Sequence, residues 1–416
     1  MASEVMEKAS LAKKASFILA NAGTEIKNKA LELMMKGLEA GEKDVIDANS
    51  VDIEAAEKKD LNRVLIDRLM LDGKRLSAMI DGLKIVKDLP DPVGRVIAKW
   101  KRPNGLEIIK RRVPLGVIGI VYESRPNVTV DAASLCLKAG NAVLLRGGSD
   151  SINTNIALIE ILADAVKKAG LPDGSVSLIE TLDREAVTEM LTLNKSIDVI
   201  IPRGGSGLIK HTIENSTIPV IETGEGNCHA FVERTADLEK ALEIVMNAKC
   251  QRPSVCNAIE TLLIDEPVAK KFIPMVVARL KGARVEIRGD EKVRAIDPSV
   301  KLATEDDWRT EYLALILAVK VVSGTDEAIY HINRYGTHHS DAIITQDNAM
   351  AKKFTDEVDS AAVYVNASTR FTDGGEFGFG SEIGISTQKL HARGPMGLEE
   401  LTSYKYIVSG NGQVRV

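Results

Sequence analysis

The chain has 416 residues, 54 Lys and Arg against 59 Asp and Glu (formal net charge −5), and is 44% hydrophobic and 27% charged. That length allows more than one sizeable core, and the composition is that of an ordinary globular protein. An acidic chain with 4% aromatic residues is a poor nucleic-acid binder, lacking both the cations and the stacking rings. Its most apolar stretches, Val113–Tyr122 and Tyr312–Val319, fall short of the ~18–20 residues of a bilayer span.

The N-terminus carries Glu4 and Glu7 where a secretory peptide needs positive charge, which implies a cytoplasmic chain. Residues 3–90 are expected to be helical and to form a layer on a later sheet. Apolar residues recur at helical spacing over Ser10–Ala40, with Gly41 as a stop. The pattern continues over Asp44–Lys59 and Leu61–Val86, punctuated by Asp60 and Gly73. Val96–Lys101 and Leu106–Arg112 flank Pro103-Asn104-Gly105, a hairpin signal. The cations Lys99, Lys101, Arg102, Lys110, Arg111 and Arg112 on this ribbon are expected to be a solvated face or an edge guard.

From Gly116 onward, apolar runs alternate with helical segments. Strands are expected at Gly116–Tyr122, Ala142–Leu145, Ser175–Ile179, Val199–Ile201 and Val220–Ile221, with helices at Asp131–Ala139, Asn153–Ala169, Arg184–Leu193 and Gly207–Asn215. A second series has strands at Cys228–Val232, Ala258–Ile264, Val285–Ile287, Leu315–Val322, Asp341–Thr345 and Ala361–Val365. Its helices fall at Leu238–Cys250, Val268–Leu280 and Asp326–Tyr335. Such alternation predicts an α/β protein with two parallel-sheet domains joined near Thr223–Gly226. Leu401–Val408 is expected to be a late strand that pairs with the hairpin or with another subunit.

Two glycine-rich loops follow strands directly: Arg146-Gly147-Gly148-Ser149 and Arg203-Gly204-Gly205-Ser206. Glycines let a backbone approach phosphates, the helix N-termini that follow favour anions, and each loop brings an Arg. Neither fits a dinucleotide or P-loop fingerprint, yet the two together favour a phosphate-bearing cofactor. The four cysteines, 136, 228, 250 and 256, are too sparse for a disulfide framework and lack zinc spacing. Cys256 in the polar connection Gln251–Asn257 is a candidate nucleophile, and Cys228 beside His229 is another. Cys136 in an apolar helix is expected to be inert, and the six histidines (His338 and His339 adjacent) show no metal-binding spacing.

At Gln251–Asn257 the chain is similar to a known family. It resembles the gamma-glutamyl phosphate reductases of the aldehyde dehydrogenase superfamily. The likeness is carried by Val121-Tyr122-Glu123-Ser124-Arg125-Pro126-Asn127, Leu145–Ser149, Ile201–Gly205, Gln251–Asn257, Val363–Gly375 and Ser386–Gly397, and it covers nearly the whole chain.

The resemblance implies an aldehyde dehydrogenase-like fold. Residues 1–225 would form a cofactor-binding domain with hairpin 95–113 as an oligomerisation arm, 226–385 a catalytic domain, and 386–416 a return segment with the arm's last strand. It implies NADPH-dependent reduction of L-glutamate 5-phosphate to the 5-semialdehyde, the second step of proline synthesis. Cys256 stands at the nucleophile's position and Asn127 at the oxyanion donor's. Arg146 stands at a cofactor-ribose position suited to a 2′-phosphate, and Glu311 at the nicotinamide ribose position. The loops Arg146–Ser149 and Arg203–Ser206 would hold the cofactor, and Glu222 would be a cleft or cofactor contact. Arg125 and Arg370 are candidate carboxylate or phosphate forks. A homo-oligomer (dimer or tetramer) is implied. Because a reductase-like helix begins at Met1, the form without a fused kinase is expected, with glutamate 5-kinase a possible partner in trans. The rival expectations are a hydrolytic NAD(P)-dependent aldehyde dehydrogenase with Glu222 as base, and a non-catalytic scaffold.

Overall fold

The computed structural model describes residues 3–61 and 63–415. Met1, Ala2, Val416 and Asn62, which falls within the expected helix Leu61–Val86, lie outside the described residues. The chain divides into two units: Met1–Thr223 with Gly378–Gly384 and Met396–Val416, and Gly224–Phe377 with Ile385–Pro395. The junction expected at 225/226 thus falls at 223/224. The expected return segment is shared between the units, and a short stretch before it joins the first.

The first unit opens with helices Glu4–Leu19, Thr24–Ala40, Glu42–Lys58, Arg63–Leu69 and Gly73–Asp88. The run expected over Ser10–Ala40 breaks after Leu19, and Gly23 starts the next helix in an extended conformation. Gly73 begins its helix rather than interrupting one, because Asp72 accepts the Arg75 N–H and caps it. Leu31, Met34 and Leu38 bury one stripe of Thr24–Ala40, which packs on helix Ile152–Ala169. A Cβ on Gly37 would lie 2.7 Å from Ile161 Cγ2, so the glycine sets how closely these helices approach.

These helices serve a four-stranded parallel sheet in the order Val176–Leu178, Ala142–Arg146, Val117–Tyr122, Val199–Arg203. The inner strands are buried along their whole length, as their unbroken apolar runs require. Val220–Ile221 contributes only an isolated bridge, Val220 to Ile200. The hairpin forms as expected between Val96–Lys101 and Glu107–Pro114, and Thr402–Ser409 pairs antiparallel with its second strand. Lys110 Nζ stands 3.6 Å over the Tyr404 ring, and Glu399 pairs with both Arg95 and Arg112, so part of the basic ribbon is internally neutralised.

The second unit is a seven-stranded parallel sheet in the order Lys301–Leu302, Glu286–Gly289, Ile316–Val322, Ile259–Asp265, Cys228–Val232, Ser340–Ile344, Ala362–Val365. Helices Leu238–Cys250, Glu266–Gly282 and Thr325–Tyr335 match expectation, and Glu291–Ile296 and Asn348–Glu357 are additional. Each of these two buries a single core residue, Val293 or Phe354, and starts at an Asp cap. Both are short, and in Asn348–Glu357 the apolar stripe is narrow, with Met350 and Phe354 one turn apart against one core cluster. Among the described residues no helix is long and apolar enough to cross a membrane.

One cap acts over a long sequence distance. The buried Asp52 carboxylate accepts from the Asn153 and Thr154 backbone N–H groups and from both of their side chains, with Thr154 N at 2.8 Å. Asp52→Ala is expected to cost roughly 2 kcal/mol, read as a lowered thermal midpoint with the far-UV spectrum of the folded protein retained.

Candidate active site

In the first unit the expected residues gather at the carboxyl ends of the parallel strands. Val121 pairs with Arg146 and Tyr122 with Arg203, so the two arginines leave the sheet on either side of one strand. Arg146 is buried and donates to the Gly147 carbonyl, while its Nε has no partner among the described residues. Burial pulls its pKa down, opposed by Tyr122 and Glu4. A buried guanidinium with an unpaired N–H suits an anion.

Packing gives Gly147 of that loop a further reason to be glycine. A Cβ on Gly147 would lie 2.3 Å from Asn155 Nδ2 and 3.0 Å from the Tyr122 ring, in the buried network Tyr122–Thr129–Asn155–Ser151. Internal packing therefore already requires glycine there. The following helix does not present an open N-terminus either, because Asp52 takes its first N–H groups.

The second loop is more open. Gly205 and Ser206 are exposed, and the Gly205 N–H donates to Glu123 Oε2 at 2.9 Å. A carboxylate of the chain itself thus rests on the backbone expected to take an anion. Arg125 and Glu222 are half-buried and Asn127 and Ser149 are exposed. Asn127 opens helix Asn127–Lys138, and its Nδ2 donates to Asp131 Oδ2 at 3.0 Å.

In the second unit the residues gather at the opposite, amino ends of the strands. Cys256 lies partly buried on the turn before Ile259–Asp265. A Cβ on Gly226 would stand 1.6 Å from the Cys256 carbonyl oxygen, so only glycine fits beneath it. The Gly226 N–H donates to Glu311 Oε1 at 2.8 Å, and the buried Cys228 thiol donates to the Cys256 carbonyl at 3.1 Å.

Behind the turn, the fully buried Lys249 and Glu260 pair at 2.5 Å. Glu260 also accepts the N–H of Leu313, a non-glycine residue at φ 52°. Burial pushes Glu260 up and Lys249 down, and each charge offsets the other's shift.

Arg370 is joined to Asn257, the residue after Cys256. Its guanidinium donates to Asn257 Oδ1 and, at 2.8 Å, to Gln251 Oε1. Asn257 in turn donates to the Thr372 carbonyl at 2.9 Å and accepts from Thr369 at 2.7 Å. Burial and the neighbouring Arg252 charge lower the Arg370 pKa, while Asp373 and Cys256 oppose them. Two guanidiniums therefore stand within electrostatic reach of each other beside the thiol, an arrangement that favours anionic ligands.

The other thiols are set for packing. Burial raises the pKa of Cys136 and Cys250, and that of Cys228 well above the ordinary range. No disulfide joins the four cysteines. His229, the neighbour of Cys228 in sequence, bonds Asp341 instead at 2.9 Å, and the histidine next to the Cys228 sulfur is His339 at 3.6 Å. Adjacent strand residues face opposite sides, which is why the Cys228–His229 pair does not form. His331, packed edge-on to His229, is pushed down to about 2 by burial.

Sequence inspection missed Glu123, Asp131, Gly226, Lys249, Arg252 and Glu260. Only Glu260 gives a clear signal, a lone carboxylate inside the apolar run Ala258–Ile264.

This pairing of two parallel α/β units, one with glycine loops and arginines and one with a seated cysteine, is that of an aldehyde dehydrogenase. The model of the aldehyde dehydrogenase family matches residues 71–301. The gamma-glutamyl phosphate reductase of Caldanaerobacter subterraneus subsp. tengcongensis is 60% identical over 412 residues, 99% of this chain and all of that one. That of Moorella thermoacetica is 57% identical over 415 residues, covering 100% and 99%. The crystal structure of the Thermotoga maritima gamma-glutamyl phosphate reductase superposes with a TM-score of 0.97 at 52% identity over the full length of both chains. The chain belongs to the gamma-glutamyl phosphate reductases, oxidoreductases of the aldehyde dehydrogenase family.

The seat beneath Cys256 can be tested directly. Gly226→Ala must displace the turn that carries Cys256, and misplacement on that scale costs about 100-fold or more in rate. The expected outcome is a kcat lowered by at least that factor, with the far-UV circular dichroism of the parent.

Proposed function

We propose that the chain reduces L-glutamate 5-phosphate to L-glutamate 5-semialdehyde with NADPH, releasing phosphate, as the second step of L-proline synthesis. The observation that carries this reading is the full-length 60% identity to a gamma-glutamyl phosphate reductase in a chain that keeps Cys256 on a glycine seat.

Cys256 is the nucleophile. Its thiolate attacks the acyl carbon, the C–S bond forms, and the C–O bond to phosphate breaks with the electron pair leaving on phosphate. Asn127 donates an amide N–H to the oxygen that becomes negative in this step. Arg370, Arg252 and Arg125 supply positive charge for the substrate's phosphate and carboxylate. A thioester reduced in place needs no hydrolytic water, so Glu222 is a cofactor or cleft contact rather than a base.

The residues fit an anionic cofactor. Arg146 keeps an unpaired buried N–H, and the Gly205 N–H already receives a carboxylate. Arg146 would hold the 2′-phosphate, Ser149 and the loop Arg203–Ser206 the pyrophosphate, and Glu311 the nicotinamide ribose. Bound NADPH supplies the hydride. Cys256 leaves as thiolate when the aldehyde is released.

The sheet of Val96–Lys101, Glu107–Pro114 and Thr402–Ser409 exposes Trp100, Tyr404 and Tyr406, which supports a homo-oligomer assembled through this arm. Glutamate 5-kinase is proposed as a partner in trans, because its acyl phosphate product is labile, and the cytoplasm as the place of action.

Run in reverse, the reaction must consume inorganic phosphate. NADP+ reduction by glutamate semialdehyde is expected to need added phosphate and to fall by at least about 1,000-fold in Cys256→Ala. Rapid phosphate-independent formation of glutamate would instead indicate a hydrolytic dehydrogenase.

A further inference from the structure

We propose that Asp131 is a positioning residue for Asn127: its carboxylate holds one N–H of the Asn127 amide and so leaves the other N–H, never the amide oxygen, for the developing oxyanion. This rests on the proposal that Asn127 is the oxyanion donor.

The two residues are one helical turn apart on Asn127–Lys138, where positions i and i+4 share a face. Asn127 Nδ2 lies 3.0 Å from Asp131 Oδ2. An amide side chain has a donor end and an acceptor end of nearly the same shape, so nothing in its own packing tells them apart. An ionised carboxylate only accepts. It therefore admits the nitrogen and repels the oxygen, and a flipped amide would set its carbonyl oxygen against the oxyanion. A serine or asparagine at 131 could donate as well as accept and would tolerate either orientation.

The surroundings of Asp131 keep it available for this. The Ser381 hydroxyl donates to the same carboxyl and the Arg203 charge faces it, yet burial outweighs both and pushes the pKa up to about 6. The folded-state value lies above the unfolded one. Stability therefore falls as pH rises from about 4 to about 6, and the deficit persists at neutral pH.

A four-variant cycle in the phosphate-dependent oxidation of glutamate semialdehyde tests the inference. Asn127→Ala is expected to lower kcat about 100-fold, and Asp131→Ala at least about 10-fold with KM for the aldehyde within about threefold. The double variant should match Asn127→Ala alone, because both act through one donor. Asp131→Asn should retain more activity than Asp131→Ala, and at pH 8 its thermal midpoint should equal or exceed the parent's. Asp131→Ala at the parent rate, or effects that multiply in the double variant, would overturn the positioning role. Asn127→Ala at the parent rate would overturn the oxyanion assignment and this inference with it.

Discussion

The carbonyl oxygen of Cys256 occupies the space that any side chain at position 226 would need, and the rest of the second unit's site follows from that contact. Gly226 is held by Glu311 and the Cys256 carbonyl by the Cys228 thiol. Asn257, the residue after Cys256, is tied to Arg370, Thr369 and Thr372. The position of the thiol is thus set by backbone contacts on both sides of the turn. A backbone fixed in this way loses little further entropy when a substrate binds, which is the form of preorganisation that lowers a barrier rather than merely tightening binding. The buried Lys249–Glu260 pair supports the same seat from behind through Leu313. It is costly to bury and more costly to break, since a lone partner would remain as an uncompensated charge.

A net charge of −5 says little about a protein that handles anions, because the relevant charge is local. In the first unit Arg146 and Arg203 flank one strand, and in the second Arg252 and Arg370 crowd each other near Cys256. Crowded cations are unfavourable by themselves and become favourable when an anion sits between them. The Gly205 N–H shows the complementary device, since it is satisfied by Glu123 in this structure. An incoming phosphate there would exchange one anion for another, so the gain in binding is smaller than the bare hydrogen bond would give.

What was legible in the sequence is what short-range physics controls. Continuous apolar runs marked the central parallel strands because both of their faces are buried, and Pro103-Asn104-Gly105 marked the hairpin. Glu291–Ile296 and Asn348–Glu357 were overlooked because they are short, at 6 and 10 residues, and each has only one fully buried side chain. The glycine at 147 was legible as special, but the packing of Asn155 and Tyr122 that also requires it was not. Asp52 capping a helix a hundred residues away has no local signature at all, and neither does the exchange of chain between units at Gly378–Pro395. The candidate residues supplied by the family resemblance lie at strand ends, on the loops beside them, or, for Asn127, at the start of a helix. Glu123, Asp131 and Lys249 needed the fold, and only Glu260, a lone carboxylate in an apolar run, was visible without it.

The two sheets are used from opposite ends, which explains why the second site was the harder to assemble from sequence. In the first unit Glu123, Arg146 and Arg203 end or directly follow strands, so each is announced by the apolar run before it. In the second unit Gly226, Cys256, Glu311 and His339 lie on segments that lead into Cys228–Val232, Ile259–Asp265, Ile316–Val322 and Ser340–Ile344. Those four strands are consecutive neighbours in the sheet although their order in the chain is different. Parallel neighbours need crossovers, and every crossover begins at the carboxyl edge and returns to the amino edge. Segments some thirty to fifty residues apart in sequence are therefore delivered to one edge by topology alone. The glycine at 226 and the carboxylates at 260 and 311 become intelligible only when that strand order is known. Short contacts then do locally what no local sequence pattern records: a missing side chain makes room for a carbonyl, and a buried ion pair holds the loop that holds the glycine.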